Sequence, residues 1–384
     1  MNPALKVTIV ERSNKLLSKV KVSGGGRCNV THACFDKIEM SKRYPRGGNF
    51  VKKLFHRFFT NDTIDWFKER GVAIKAEADG RMFPVTDSSQ TIIDCLLREA
   101  DQYKVQIRMH CDIKGIENFA DGFRLLTAKD EELTASYVCI ATGGFPRASM
   151  FDWLTQTGHS FSEPVPSLFT FNLPKHPITQ LMGVSVPNAL VKITGSKLQQ
   201  QGPVLITHWG LSGPGVLKLS AYAARELAEK NWEFEVIINW LPEYNEQTLK
   251  EKFLQLRNDN GSILLHHKNP FGLPQRLWEF FLKECNIPES SRRADLQAKP
   301  QNELVKKLSN YLFSVKGKTT FKEEFVTAGG ITLSEIDSNT MMSKKQPNLF
   351  FAGEVVDVDG ITGGYNFQNA WSTGWVAAHT IAGL

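Results

Sequence analysis

VTIVERSNKLLSKVKVSGGGRCN, residues 7–29, opens on the apolar run Val7-Thr8-Ile9-Val10 and ends that run with Glu11. An acid placed directly after a buried parallel strand is, in a dinucleotide-binding fold, the residue that accepts hydrogen bonds from an adenosine ribose. In such a unit a Gly-rich turn lies about 20 residues ahead of the acid, and Met1 leaves no room for it here. Taken alone, Glu11 reads equally well as any strand-terminal acid. The second half of the stretch is more specific. Ser23-Gly24-Gly25-Gly26-Arg27-Cys28-Asn29 lets the backbone approach a flat or phosphorylated ligand without interference from Cβ atoms, and its N–H groups can cradle oxygens. Arg27 adds a planar donor fork suited to a pyrophosphate.

Working outward, residues 48–70 predict two short amphipathic helices, the second N-capped near Thr60 or Asn61. Val72–Lys75 is a strand candidate, and a turn at Asp79-Gly80 leads into Arg81-Met82-Phe83-Pro84. Ile92, Ile93, Leu96, Leu97 and Ala100 carry helical spacing across 87–103. Strands are predicted at 105–109, 111–117, 123–128 and 133–135. Tyr137–Ala141 is an apolar run that enters Thr142-Gly143-Gly144, a second close approach of backbone to ligand or a tight turn.

From about 145 the texture changes. Pro164, Pro166, Pro174, Pro177 and Pro187 punctuate short β-like pieces such as Ala189–Thr194 and Val204–His208, and 244–257 and 301–313 predict helices. Around 326 the first texture returns. Residues 351–368, FAGEVVDVDGITGGYNFQ, pack glycines and acids between a strand and a final helix at 367–382. The start of that helix can set N–H groups and a positive dipole end against a phosphate or a ring oxygen. The fold class is therefore α/β: a nucleotide-binding sheet interrupted by an inserted domain. The expected divisions are 1–145, a β-rich insert at 146–240, its helical part at 241–320, and a return at 321–384.

Hydrophobic residues make up 41% of the 384 and charged residues 22%, which is ordinary for a globular protein. No apolar run is long enough to predict a membrane span, and no secretory signal is read at the N-terminus. Six scattered cysteines without a C-x-x-C pair argue against a zinc or thioredoxin-type motif and suit a cytoplasmic location. Charge is uneven. Residues 1–57 hold thirteen Lys or Arg against three acids, a balance of +10, which leaves −4 for the rest. That excess is either a solvated basic face or an attractor for a polyanion.

The set VERxxKLLxKVxxSGGGRCN, GRMFP (80–84), ATGG (141–144), GLSGP (210–214), TAGGI (327–331) and FAGEVVDVDGITGGYNFQNAWSTG closely resembles the BaiN/YhiN-like family of FAD-dependent flavoproteins, from residue 5 to the C-terminus. The resemblance implies a three-layer, Rossmann-like FAD domain in two parts, interrupted by a barrel-like β-rich region and a helical substrate-side region. It implies that family members begin with a strand and a G-x-G-x-x-G turn that this chain lacks, with Met1-Asn2-Pro3 near the end of a truncated helix. The expectation is that the chain as written folds poorly and binds FAD weakly.

The resemblance further implies that Glu11 holds the ribose and that Ser23, Gly24, Gly25, Gly26, Arg27 and Asn29 line the pyrophosphate and approach the flavin ring. Backbone near Ile113 would lie against the adenine, with Thr142 and Gly143 passing close by. Asp357 would contact the ribityl or pyrophosphate region, and Gly353 would also bind the cofactor. Gly363, Gly364, Tyr365, Asn366 and Gln368 would present the helix start to the flavin. The family is associated with reduction of a conjugated C=C, in an oxo-steroid of the bile-acid type for some members and in ribosomal RNA uridine for others. His208, Cys28 and Tyr365 are the candidate acids. No second G-x-G-x-x-G follows a strand, so either NAD(P)H docks transiently at the flavin or another donor supplies the electrons. An RNA substrate would meet Lys42, Arg43, Arg46, Lys52, Lys53 and Arg57 in the basic stretch 42–57, whereas a steroid would need an apolar pocket around Trp209 and Leu211. A flavin redox sensor without turnover is the third class.

Overall fold

The computed structural model describes residues 4–320 and 326–383, so the expectation for Met1-Asn2-Pro3 falls outside the described residues. The chain forms two compact units, Met1–Ser167 with Phe321–Leu384, and Leu168–Thr320.

The first unit starts with β1 (Thr8–Val10), from which the chain passes into α1 (Ser18–Gly26) and β2 (Thr31–His32). Three short helices follow: α2 (Lys37–Ser41), α3 (Gly48–Leu54) and α4 (Thr60–Lys68). The cap of α4 differs from the sequence expectation. Phe59 holds the N-cap position, and Asp62 reaches back to accept its N–H at 2.7 Å. The hairpin β3 (Ile74–Ala76) and β4 (Arg81–Pro84) leads to α5 (Ser89–Gln102), capped by Ser88. Next, β5 (Gln106–Arg108) pairs parallel with β1, Thr8 opposite Gln106. The other edge of β1 has no strand partner among the described residues, and Val7 and Ile9 are 50% and 44% exposed.

An antiparallel meander of β6 (Ile113–Phe119), β7 (Gly122–Thr127) and β8 (Glu132–Ala135) then precedes β9 (Val138–Ile140), α6 (Asp152–Thr155) and β10 (Phe161–Ser167). The expected boundary at 145 shifts, because β10 pairs antiparallel with residues 326–331 and so holds the chain in this unit as far as Ser167.

The second unit is built on period-2 strands: β11 (Thr170–Asn172), β12 (Ser185–Ile193), β13 (Gln199–Ile206) and β14 (Gly210–Ser212), then helices α7 (Pro214–Tyr222) and α8 (Ala224–Glu229), then β15 (Glu233–Asn239). Phe234, Val236 and Ile238 of β15 are buried while the intervening residues are not, as the strand period requires. Helices α9 (Glu246–Asn260), α10 (Gln275–Glu284) and α11 (Ala298–Ser309) share the same core; α10 contributes Leu277, Trp278, Phe281 and Leu282 from one face. The helix expected at 301–313 ends at Ser309. Tyr311, Phe313 and Val315 instead alternate inward along β16 (Tyr311–Lys316), and β17 (Lys318–Thr319) follows after Gly317.

The strand order is β16-β15-β12-β13-β14-β11-β17. Because β16 and β17 are consecutive and flank the sheet at its two ends, they act as one strand bent at Gly317 (φ +85°), and the antiparallel sheet closes into a barrel.

The chain returns to the first unit through β18 (Val326–Ile331), which pairs with β10, and β19 (Leu349–Phe351), which runs parallel to β9. All three residues of β19 are fully buried. The last element is α12 (Tyr365–Gly383).

Candidate active site

Parallel strands present their carboxyl ends to one crevice in an open α/β sheet. Glu11 leaves the end of β1. Its carbonyl accepts the Cys111 N–H at 2.9 Å and its N–H donates to the Arg108 carbonyl at 2.9 Å, so Glu11 and the backbone leading to Ile113 lie side by side. The Glu11 carboxylate accepts the Ser13 N–H at 2.7 Å.

The triple glycine forms a left-handed bend inside the last part of α1. Gly24, Gly25 and Gly26 have φ of +59°, +69° and +84°, a sequence of left-handed residues that only glycine adopts cheaply. The surroundings of these glycines separate their roles. A Cβ on Gly24 would lie 2.8 Å from Phe83 Cε1 and 3.0 Å from the Asn29 nitrogen, whereas one on Gly25 would meet nothing within 4 Å. Ser23 closes the bend, its carbonyl accepting the Cys28 N–H at 2.9 Å and its hydroxyl donating to Val20 O at 3.0 Å.

Three side chains of this loop are engaged by the protein itself. The Arg27 guanidinium, expected at a pyrophosphate, bonds Glu77 at 2.6 Å, approaches Asp87 at 3.6 Å and stacks 3.9 Å over the Phe83 ring. Asn29 accepts the Met82 N–H at 3.2 Å and braces the loop on β4. Cys28 is fully buried among Val20, Val30 and Phe67, and burial pushes its thiol up to about 12, so it is neither an exposed acid nor a thiolate.

The carboxyl ends of β9 and β19, where an open α/β sheet would place its crevice, are lined differently. Gly143 (φ +74°) follows β9, and a Cβ there would meet only Lys19 Nζ, at 4.0 Å; Thr142 beside it is exposed. Lys19 of α1 pairs with Glu354 at 2.5 Å, and Glu354 also accepts the Thr327 N–H at 2.9 Å. Gly353 (φ +77°) donates to Thr373 Oγ1 at 2.8 Å. Thr327 Oγ1 and Asn369 Oδ1 are buried without a hydrogen-bond partner among the described residues. An orphaned buried polar atom is costly, and two of them belong to the segments that border this crevice.

The two most specific motifs meet. Gly364 (φ +93°) packs on the Thr31 carbonyl and beside Asn29 Oδ1, and Trp371 Nε1 donates to Val30 O at 2.9 Å. Gly363 O lies 3.0 Å from His32 Nδ1, so that nitrogen carries the proton, and the His32 ring stacks on Tyr365 at 4.7 Å. Tyr44 donates to the Tyr365 carbonyl at 2.7 Å, and burial holds its phenol well above the usual range.

Asn366 folds back onto Gly360, accepting its N–H at 2.8 Å and donating to its carbonyl at 2.9 Å. Gln368, expected at the flavin, is wholly internal: it accepts from Thr31 (2.6 Å) and Thr63 (3.1 Å) and donates to Ser372 (3.1 Å). Asp357 accepts the Ser162 hydroxyl at 2.7 Å. His208 is exposed on the β13–β14 turn against Trp209.

Sequence reading passed over Lys19, His32 and Asp359. Asp359 stands two residues from Asp357 within the quoted motif. It is fully buried, paired with Arg46 and hydrogen-bonded by Ser167 Oγ at 3.0 Å. Arg46 is therefore not a free surface cation.

The HI0933-like protein Rossmann domain matches residues 1–380. The chain belongs to the HI0933-like family. It is 32% identical over 392 residues to the ribosomal RNA dihydrouridine synthase of Escherichia coli strain K12, covering 98% of this chain and 92% of that protein. Identity is 26% over 386 residues to the 3-dehydro-bile acid delta(4,6)-reductase of Clostridium scindens, covering 98% and 93%. Among solved structures it is similar to a 3-ketosteroid-delta4-(5alpha)-dehydrogenase from Rhodococcus jostii RHA1, with TM-score 0.48, 12% identity, and coverage of 97% of this chain and 91% of that chain.

As an HI0933-like protein the chain is a flavin-dependent oxidoreductase on a Rossmann-like FAD-binding domain. Its residues fit FAD. Gly25 and Gly143 leave space where any side chain would intrude, the border of the crevice carries the unpaired Thr327 and Asn369 atoms, and α12 turns its N-terminus toward the glycine loop. Glu11 would hold the ribose, Gly25 and Gly143 would admit the backbone-close parts, and the start of α12 would face the ring. No helix among the described residues is long and apolar enough to cross a membrane.

Proposed function

We propose that this HI0933-like protein reduces a conjugated C=C bond, that of uridine in ribosomal RNA, to give dihydrouridine, with NAD(P)H as the source of electrons. The observation that carries this reading is the end-to-end similarity to the Escherichia coli enzyme, 32% identical across 98% of this chain. Bound FAD, once reduced, would supply the hydride.

The uracil double bond is conjugated to the C4 carbonyl, so hydride adds at C6 and a proton at C5. The protein's part is to orient the base and to hold that proton. Tyr365 and His32, stacked at the start of α12, are a titratable pair at the helix end that would face the flavin, and His32 Nδ1–H is fixed by Gly363 O. This reading gives Cys28, fully buried with its thiol pushed up to about 12, no part in the proton transfer.

A second reading, reduction of a bile-acid-like steroid, rests on the Clostridium scindens relative. Its expected pocket loses Leu211, which is fully buried in the barrel core. The test compares dihydrouridine in ribosomal RNA, by mass spectrometry, from a strain lacking the gene with and without the gene restored. Restoration of a dihydrouridine supports the proposal. Unchanged RNA, with turnover of an oxo-steroid by the purified FAD-loaded protein, transfers support to the second reading. Steady NAD(P)H oxidation with an added acceptor separates either enzyme from a redox sensor.

A further inference from the structure

The start of α2 exposes apolar surface in a cationic setting. Phe35 and Ile38 are 55% and 52% exposed. Between them Asp36 caps α2, its carboxylate accepting the Ile38 and Glu39 N–H groups at 2.8 and 2.9 Å. Phe35 therefore stands one residue ahead of the N-cap, where a hydrophobic staple would pack it onto Met40. Met40 is already fully buried, and Phe35 is left facing outward.

Helix α3 packs against α2 and ends in Lys52 and Lys53, with Arg57 one turn further. Lys37 Nζ reaches His56 at 3.4 Å and joins the two helices into one surface. Among the described residues no ion pair engages Lys37, Lys52, Lys53 or Arg57, while the acids of the surface are occupied, Asp36 by its cap and Glu39 by Lys42. Lys42 and Arg46, expected in an RNA-binding role, are the two cations of this region held by acids. In chain terms Phe35 is three residues from His32, within about 11 Å of it, and His32 stacks on Tyr365.

We propose that this surface docks single-stranded RNA next to the reacting nucleotide, with Phe35 as a stacking platform for a neighbouring base and Lys52, Lys53 and Arg57 on the phosphates. The inference rests on the RNA reading above and adds the surface and strandedness to it. An exposed aromatic ring among unpaired cations suits a splayed base on a polyanionic backbone, whereas a duplex offers no free base face to stack.

The test uses the FAD-loaded full chain and a labelled single-stranded ribosomal RNA oligonucleotide, with duplex RNA and anionic phospholipid vesicles as parallel probes. Phe35→Ala is expected to weaken single-strand binding about 5- to 100-fold without changing its salt slope, and Phe35→Trp to restore it. Lys52→Ala/Lys53→Ala/Arg57→Ala is expected to flatten the slope of log K against log salt by about 2. Flavin content and dye reduction stay at wild-type levels in all three. Wild-type affinity in Phe35→Ala, or equal losses on duplex RNA or vesicles, overturns the inference. Binding reads the surface and dihydrouridine content reads the reaction. A chain that modifies RNA with Phe35→Ala at full affinity loses the surface but keeps the reaction; one that binds through Phe35 without reducing uridine does the reverse.

Discussion

Arg46 and Asp359, 313 positions apart, join through a two-pronged ion pair in which the aspartate is completely buried. The pair ties the segment between α2 and α3 to the loop leading into α12. Burial raises the Asp359 pKa, and the Arg46 hydrogen bond and charge oppose that rise.

Arg46→Ala is expected to cost about 3–5 kcal/mol by urea unfolding at neutral pH, because it strands a buried charge. Asp359→Asn alongside Arg46→Met should recover most of that loss. The sign with pH follows from the raised folded-state pKa: protonation favours the folded state. The Arg46→Ala deficit should therefore shrink as pH falls, because the variant, without the Arg46 hydrogen bond and charge that oppose the rise, takes up the Asp359 proton at a higher pH than the wild type does. A deficit that grows on acidification would exclude this account.

Gly24 and Gly25 should respond differently to alanine. Both carry a left-handed backbone, which costs an L-residue about 1–2 kcal/mol. Gly24→Ala adds a clash with Phe83 and the Asn29 backbone, so its main effect should be on stability, while Gly25→Ala opens onto free space and should mainly lower FAD retention. Flavin absorbance per folded protein, read beside the melting midpoint, separates the two. Equal flavin loss at equal stability loss would remove Gly25 from the cofactor surface.

Cys28 should resist iodoacetamide at pH 8 in the native protein and react once urea unfolds it. Its thiol is held at about 12 by burial. A raised pKa makes its contribution to stability complete below the ordinary thiol value and lost as pH climbs from there toward 12. Cys28→Ala is expected to cost about 1–2 kcal/mol and to leave NAD(P)H-driven dye reduction unchanged. Loss of turnover in a folded, flavin-replete Cys28→Ala protein would return the thiol to the chemistry.

Gln368→Leu should destabilise by about 3 kcal/mol, since it removes the partner of Thr31, Thr63 and Ser372 at once. The folded fraction is expected to keep its flavin spectrum. A stable Gln368→Leu protein that loses FAD would instead place this side chain at the cofactor.

The glycine loop, the acid after β1 and the strand-to-turn passages at β9 and β19 were legible in the sequence, because backbone geometry there demands particular residues. Side-chain destinations were not. Arg27, Asn29 and Gln368 have the donors and acceptors a cofactor would use, but they spend them on Glu77, Met82, Thr31, Thr63 and Ser372, partners up to 337 positions distant. Asp357 and Asp359 are chemically identical in a motif; only the fold shows which of them is sealed against Arg46. In the barrel, 301–313 has apolar residues compatible with either period, and the pairing of β16 with β15 decides the second half for a strand.

Thr170 and Thr319 sit opposite each other across the antiparallel β11–β17 pairing, which sets their Cα atoms about 5 Å apart. The entire Leu168–Thr320 body thus enters and leaves the chain through a single narrow doorway. A segment whose two ends lie side by side can be lengthened, traded or permuted without re-threading the chain before and after it. The barrel closure is therefore also a cassette joint: the pairing that completes the barrel holds the two ends of its own segment together.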